Sequence, residues 1–452
     1  MQYTVKSSEI MGFLGFIMDA KQEMKGDALY ELRVLLQDID KGTAQQGHQT
    51  LSSTLLYHVP ELNSVLDIQN LVVSYCKTDV ENAGKLNELI QSTYLDYQKI
   101  YAVKSELLTT YAQNITALLN QKNGAIAALK NVGQFYGWHV EPDHEMLGYV
   151  YPSSESGGSS LSQENGTFQV VGVRPDQYDL TDPQRQHNQL ATWFHESVHG
   201  VFEESGAEKT LLAYLKQPGN RLVQYMVDHP EFRRKPQENP LESARALIDE
   251  SLTTAFQGLF EREKLGGDRP VLYQNPVFDF MAHKMMEVLP EQIKAGKVFD
   301  INFIAQFEKE FLNPIAQVTM QETIQKKLRK EKCKEAVIRY LKESFAQQKC
   351  SFPQNFFAPK GDPAYRVDNW RVANMLLETF TPYIDSGMPI DEKLLQKIEQ
   401  QHPQIKTQVS ELMTHSVYGV LSMSARKGKA SSTSSEMLYG RQMREKINAV
   451  SK

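Results

Sequence analysis

Between residues 84 and 121 the chain carries one long helical pattern, and this limits the folds open to it. Ile90, Tyr94, Tyr97, Tyr101, Leu108, Tyr111, Ile115 and Leu118 recur at steps of three and four, with a break only at Lys104. Residues so spaced form one stripe on a helix, and a stripe of this size has to be buried against other elements. A bundle seam is expected, not a ligand-binding face. Gly124, behind Asn120-Gln121-Lys122-Asn123, is the expected terminator. The first 130 residues read as mainly helical.

The 452 residues suffice for a large core and suggest several domains or one enzyme-sized unit. With 41% hydrophobic and 23% charged residues and a net charge of −6, nothing favours a nucleic-acid binder or an acidic membrane surface. Cys76, Cys333 and Cys350 are far apart, which argues against a disulfide scaffold or a cysteine zinc site and for thiols in a reducing compartment. No apolar run is long enough to span a bilayer. Ile10–Met18 lacks a strong basic leader, is edged by Glu9 and Asp19, and has no clear cleavage site, so it is expected to be an apolar helix rather than an export signal.

Beyond residue 130 the composition shifts. Phe135–Tyr151 is rich in aromatic and branched residues and runs into Pro152-Ser-Ser-Glu-Ser-Gly-Gly-Ser-Ser, which is too poor in apolar residues to pack and is expected to be a mobile loop. Thr167–Val173 reads as a strand between Gly166 and Pro175. Asp182 then offers an N-cap with Pro183 at the first helical position, opening a helix that reaches Ser205-Gly206. A second marked helix starts at Asn239-Pro240, with Glu242 placed for a capping box, and stops at Gly266-Gly267. Residues 276–420 are again helical in pattern. Near Met320–Phe345 an apolar stripe of Ile324, Leu328, Val337, Leu341 and Phe345 accompanies a basic run expected to be a solvated face. The Ser-rich segment at 430–435 reads as a flexible link to a short terminal helix.

The chemistry is concentrated in residues 192–201, Thr-Trp-Phe-His-Glu-Ser-Val-His-Gly-Val. His195 and His199 stand four apart, so a helix puts both imidazoles on one face, one turn above the other, within reach of a single ion. Glu196 falls beside that ion as a base toward water. A catalytic zinc needs a third protein ligand. A histidine six beyond His199 is excluded by Ser205, and no glutamate lies near Pro218–Asn220. The helix after Asn239 remains. There Glu250 is preferred, because Ser243, Ala246, Thr253 and Thr254 around it are small and leave room for an ion and the histidine helix. Asp249, Glu242, His229 and Asp228 stay as alternatives, with Asp249 turned about 100° around the helix from Glu250 and Glu242 explained as a cap.

HESVH followed several dozen residues later by Asp-Glu-Ser-Leu-Thr-Thr-Ala-Phe resembles the gluzincin group of zinc metallopeptidases, over about residues 167–290 and through those two short motifs. The resemblance implies a zincin-like core in which His195, His199 and Glu250 hold zinc and Glu196 serves as general base for peptide hydrolysis. It also implies an edge strand at 167–173 beside the active-site helix, on which an extended substrate could pair. Where many gluzincins have an aspartate four residues past the ligand glutamate to orient a histidine, this chain has Thr254, so that partner must come from elsewhere. For a donor to the developing oxyanion, His283, Tyr273 and Tyr340 are candidates and the role stays open.

The expected fold is therefore mainly α with a small antiparallel or mixed sheet. It comprises a helical region at 1–130, a zincin-like catalytic core at 131–290, a second helical region at 291–425, and a flexible link with a terminal helix at 426–452. The expected function is that of a zinc-dependent metallopeptidase acting on a peptide or protein, without nucleic acid and without stable membrane insertion, in the cytoplasm or exported without a cleaved signal. Two other readings stand beside it: a helical interaction protein, such as a translocated effector, whose motif is accidental or inactive, and a zinc hydrolase of a non-peptide amide or ester.

Overall fold

A computed structural model describes residues 1–413 apart from 19–27, 46–49, 59–60, 78, 122–123, 140–143, 154–156, 164–165, 175–176, 236, 267–274, 348–351, 353–355, 357–366 and 387–391. The expected link and terminal helix at 426–452, Cys350 and Tyr273 lie outside the described residues. The architecture is mainly α with one small mixed sheet. In order it runs β1 (Gln2–Ser7), α1 (Glu9–Met18), α2 (Ala28–Gln45), α3 (Leu51–Tyr57), α4 (Val65–Cys76), α5 (Val80–Leu119), α6 (Ala125–Tyr136), β2 (Glu145–Pro152), β3 (Gly157–Gln163) and β4 (Gly166–Val173). There follow α7 (Pro183–Glu204), α8 (Ala207–Leu215), α9 (Arg221–Asp228), α10 (Pro240–Lys264), α11 (Pro276–Lys294), α12 (Ile301–Phe311), α13 (Pro314–Gln347), α14 (Val367–Asp385) and α15 (Glu392–Gln401). No described helix is long and apolar enough to cross a membrane.

The chain divides into two compact units, Met1–Met320 and Gln321–Lys452, with the division falling inside α13. In the second unit α13, α14 and α15 bury Val337, Leu341, Ala373, Leu376, Phe380 and Ile398 in one cluster. Of the stripe expected on α13, Leu328 is instead exposed, whereas Ile324, Val337, Leu341 and Phe345 are buried. The basic run lies on the solvated side as expected, with Lys326, Lys327, Arg329, Lys330, Lys332 and Lys334 all exposed.

In the first unit the sheet has the order β1-β2-β4-β3, with β1, β2 and β4 parallel and β3 antiparallel to β4. One sheet face carries Tyr149, Phe168 and Val170 into an apolar cluster with Phe13, Leu14, Leu86, Ile90 and Tyr97 of α1 and α5. The tyrosine stripe of α5 is thus a packing seam, with Ile90, Tyr97, Leu108, Tyr111 and Ile115 buried. Ile10–Met18 is the expected apolar helix, built into the same cluster. α5 ends earlier than expected. Asn120 caps it and ties its carboxamide to the backbone of Tyr3 in β1, while Gly124 stands at the start of α6 instead of stopping α5.

Two expectations about the sheet are corrected. The Ser/Gly stretch is no loop from Gly157 onward: it forms β3, paired residue for residue with β4 from Gly157↔Gly172 to Gln163↔Gly166. Gly157, Gly158 and Ser159 are exposed, so β4 supplies the order there through backbone hydrogen bonds. Consequently the strand at 167–173 is not an edge. It lies between β2 and β3, and β3 and β1 are the edge strands of the described sheet.

The other sheet face receives α7. Asp182 accepts from the Arg185 amide at 2.8 Å and Pro183 takes the first turn, so α7 starts as expected. Its approach is close because β2 lacks a side chain at the crossing: a Cβ on Gly148 would lie 2.4 Å from the ring of Trp193, which is fully buried there. Tyr3 of β1 reaches the same helix, its hydroxyl donating to Ser197 Oγ at 2.5 Å. The helix carrying the histidines is therefore clamped to the sheet before any ligand is considered.

Candidate metal centre

The second wall of the site is α10, started by Asn239, whose side chain accepts from the Leu241 amide, with Pro240 in the first turn. It ends at Leu265, after which Gly266 takes the left-handed conformation at φ 65°. Glu242 makes no capping box here. Its carboxylate pairs with Arg245 at 3.2 Å. α7 and α10 run antiparallel, as their cross-pairs require: His187 meets Glu261, His195 meets Gln257, and His199 meets Asp249.

Three ligating atoms converge between these helices. His195 Nε2 and His199 Nε2 are 3.3 Å apart, and Glu250 Oε2 lies 3.6 Å from the first and 3.4 Å from the second. Among the described residues, this is the group of histidine, cysteine and acidic side chains that could hold a metal ion. The three side chains keep 13–15% of their surface exposed, so the centre is walled by protein yet reachable from one side.

Of the alternatives for the third ligand, none joins the cluster. Asp249 Oδ1 lies 2.9 Å from His199 Nδ1, on the far side of that ring. His229 stacks on Tyr225 and faces Glu231, and Asp228 accepts from Gln224. Of the oxyanion candidates, His283 is exposed and bonds the Asp279 carbonyl of its own helix at 2.6 Å. Tyr340 belongs to the core of the second unit, its hydroxyl donating to Glu399 at 3.1 Å.

The partners missing at Thr254 are supplied from other turns of α10. Asp249 backs His199 with one oxygen and meets Arg245 at 3.4 Å with the other, and Arg245 also reaches Glu208 on α8 at 3.3 Å. Gln257 Oε1 backs His195 Nδ1 at 2.9 Å, and the Gln257 amide donates to Glu261 Oε1 at 2.7 Å. The sequence reading missed both. The 100° offset that disqualifies Asp249 as a ligand is what lets it reach the opposite nitrogen of His199, and Gln257 sits seven positions, about two turns, past Glu250.

The electrostatics follow from burial and pairing. Burial works against the charge of Glu250, but hydrogen bonds from His195 and His199, with their charge, hold its carboxyl well below the usual carboxylate range. Burial likewise opposes a charged His199, yet the Asp249 carboxylate beside it, with bonds from Asp249 and Glu250, pushes its imidazole well above the ordinary value. Glu196 is different. Burial pushes its carboxyl up, against the pull of His195 and His199. It sits beneath β3, where a Cβ on Gly158 would fall 2.5 Å from Glu196 Cγ and 2.7 Å from its Oε1. A carboxyl whose affinity for protons is raised, beside a group that could hold a cation and under an exposed strand edge, is suited to taking and returning a proton.

No protein-family model matches the chain, and neither a curated protein nor a solved structure matches it.

Proposed function

We propose that the chain is a zinc-dependent peptidase of gluzincin type, with His195, His199 and Glu250 as metal ligands and Glu196 as general base. The observation that carries this reading is the set of three separations, 3.3, 3.4 and 3.6 Å, among the ligating atoms. Tetrahedral coordination at bonds of about 2.0–2.1 Å spaces ligands roughly 3.3–3.4 Å apart. Octahedral magnesium at the same bond length needs about 2.9 Å. Two imidazoles with one carboxylate also suit zinc better than an all-oxygen cation.

When bound, zinc supplies Lewis acidity toward water and a substrate carbonyl. The chain's own residues do the rest. Asp249 and Gln257 fix the two rings so that each Nε2 is turned toward Glu250, where these residues would hold an ion. Glu196 accepts the proton of the attacking water at its carboxylate and hands it to the leaving amine, a role its burial favours. Among the described residues β3 is an edge strand, lying over Glu196 at Gly158, where an extended peptide can add as a further strand.

The test is metal analysis joined to peptide cleavage. The purified chain is expected to hold one zinc per molecule, and Glu250→Ala or the pair His195→Ala and His199→Ala to lose it. Glu196→Gln is expected to keep the metal while peptide cleavage falls roughly 10²- to 10⁴-fold. Zinc that survives loss of both histidines would remove the reading. So would a zinc-loaded chain that cuts no member of a peptide library.

A further inference from the structure

We infer that Arg245 is a positioning residue of the metal centre, which acts by holding the Asp249 carboxylate in place behind His199. The inference rests on the metal-site reading above. Arg245 meets Asp249, Glu208 and Glu242, and none of the three proposed ligands. Asp249 has a different partner for each of its oxygens: His199 Nδ1 lies 2.9 Å from Oδ1, and Arg245 Nη1 donates to Oδ2 at 3.4 Å. A carboxylate held by one oxygen can swing about its Cβ–Cγ bond, a torsion with broad wells. Held by both, it keeps its plane. Asp249 also adjoins Glu250 in the chain and is buried, so little water is at hand to take over the second oxygen. Tied outward to Arg245, Asp249 stays behind the imidazole and leaves the ion to Glu250.

Arg245 is itself fixed. Its Nη1 also donates to Glu208 Oε1 at 3.3 Å, and its Nε donates to Glu242 Oε2 at 3.2 Å. Glu242, Arg245 and Asp249 follow at steps of three and four, so they share one stripe of α10, whereas Glu208 comes from the first turn of α8. A guanidinium presents its N–H groups in a rigid plane, so holding two of its nitrogens sets the direction of the N–H that reaches Asp249. Charge alone would have the opposite effect. A guanidinium near a divalent cation repels it, and removing Arg245 would then tighten metal binding. If Arg245 works by orienting Asp249, its removal loosens binding. The sign of the change separates the two.

Zinc affinity, measured by competition with a chelator, tests this in a cycle of four proteins. Arg245→Gln is expected to bind zinc about tenfold more weakly than the parent, and Asp249→Ala about tenfold to a hundredfold more weakly. Adding Arg245→Gln to Asp249→Ala is expected to cost nothing further and to tighten binding slightly, because only the repulsion is left to remove. Cobalt(II) in place of zinc gives a second reading. Its visible absorption bands should shift in Arg245→Gln, yet match between Asp249→Ala and the double variant. Arg245→Lys keeps the charge without the planar fork, and serves as the milder probe if metal-free Arg245→Gln melts early; it is expected to lose roughly threefold. Unchanged or tighter zinc binding in Arg245→Gln and Arg245→Lys overturns the inference, as do losses that multiply in the double variant. A parent that binds no zinc removes the metal reading and this inference with it. A parent that binds one zinc but shows multiplying losses removes the inference alone.

Discussion

The two faces of the four-stranded sheet are built from opposite materials. On one, Tyr149, Phe168 and Val170 meet Phe13, Leu14, Leu86 and Ile90 in a cluster whose polar atoms are mainly tyrosine hydroxyls. On the other lies α7, and behind it α10, with Glu196, Asp249 and Glu261 buried together with Ser243, Ser251, Thr253 and Thr254. Burying carboxylates is unfavourable unless they are paired, and here Asp249 pairs with His199 directly while Glu261 holds Gln257, which meets His195. The first face supplies stability, and the second spends some of it on orientation.

Phe13→Ala tests that division most sharply. The ring is fully buried against Tyr94 and Tyr97, and its loss should destabilise the protein by about 3–5 kcal/mol. Zinc affinity, measured well below the melting temperature, should stay within about twofold. A large fall in affinity with little change in melting would mean that the two faces are not separable.

Gly158→Ala should do the reverse. The backbone there is open to alanine, but the new methyl would meet Glu196 at about 2.5–2.7 Å and force the carboxylate aside. Displacing a general base by that amount should lower kcat roughly tenfold to a hundredfold, with metal content and melting temperature little changed. Unchanged kcat in a zinc-loaded variant would take the proton-transfer role away from Glu196 in its present position.

How much of this was legible in the sequence follows from the range of the interactions. His195, His199 and Glu250 could be read because each sits on a helix with local start signals, Asp182-Pro183 and Asn239-Pro240, and because helical geometry alone sets the face. The α5 seam was legible for the same reason. β1 was missed because six residues with buried Tyr3 and Val5 give too short an alternation, and its partner Glu145–Val150 lies far along the chain. β3 was misread because Gly-Gly-Ser-Ser carries no strand preference of its own and takes its order from β4. Asp249, Gln257 and Glu261 could be seen as polar residues on a buried helix, but their partners depend on how α7 and α10 are aligned, and local spacing does not encode that alignment.

The smallest expected effect concerns pH in the metal-free protein. The folded-state affinity of His199 for its proton is raised above the ordinary 6.5 by Asp249 and Glu250, despite burial. A group raised in this way stabilises the fold fully below its unfolded value and loses that contribution as pH rises through the folded value. Metal-free melting temperature should therefore decline as pH is raised above about 6.5. In Asp249→Asn the main cause raising the affinity is gone, so the decline should be smaller and end at lower pH. Saturating zinc should also flatten it in the parent, since an ion replaces the proton between the ligating atoms and binding favours the deprotonated ring. An alkaline decline of equal size in parent and Asp249→Asn would mean that the charge holding His199 comes from elsewhere. The second face would then be less tightly organised around its carboxylates than the pairing at 2.9 Å implies.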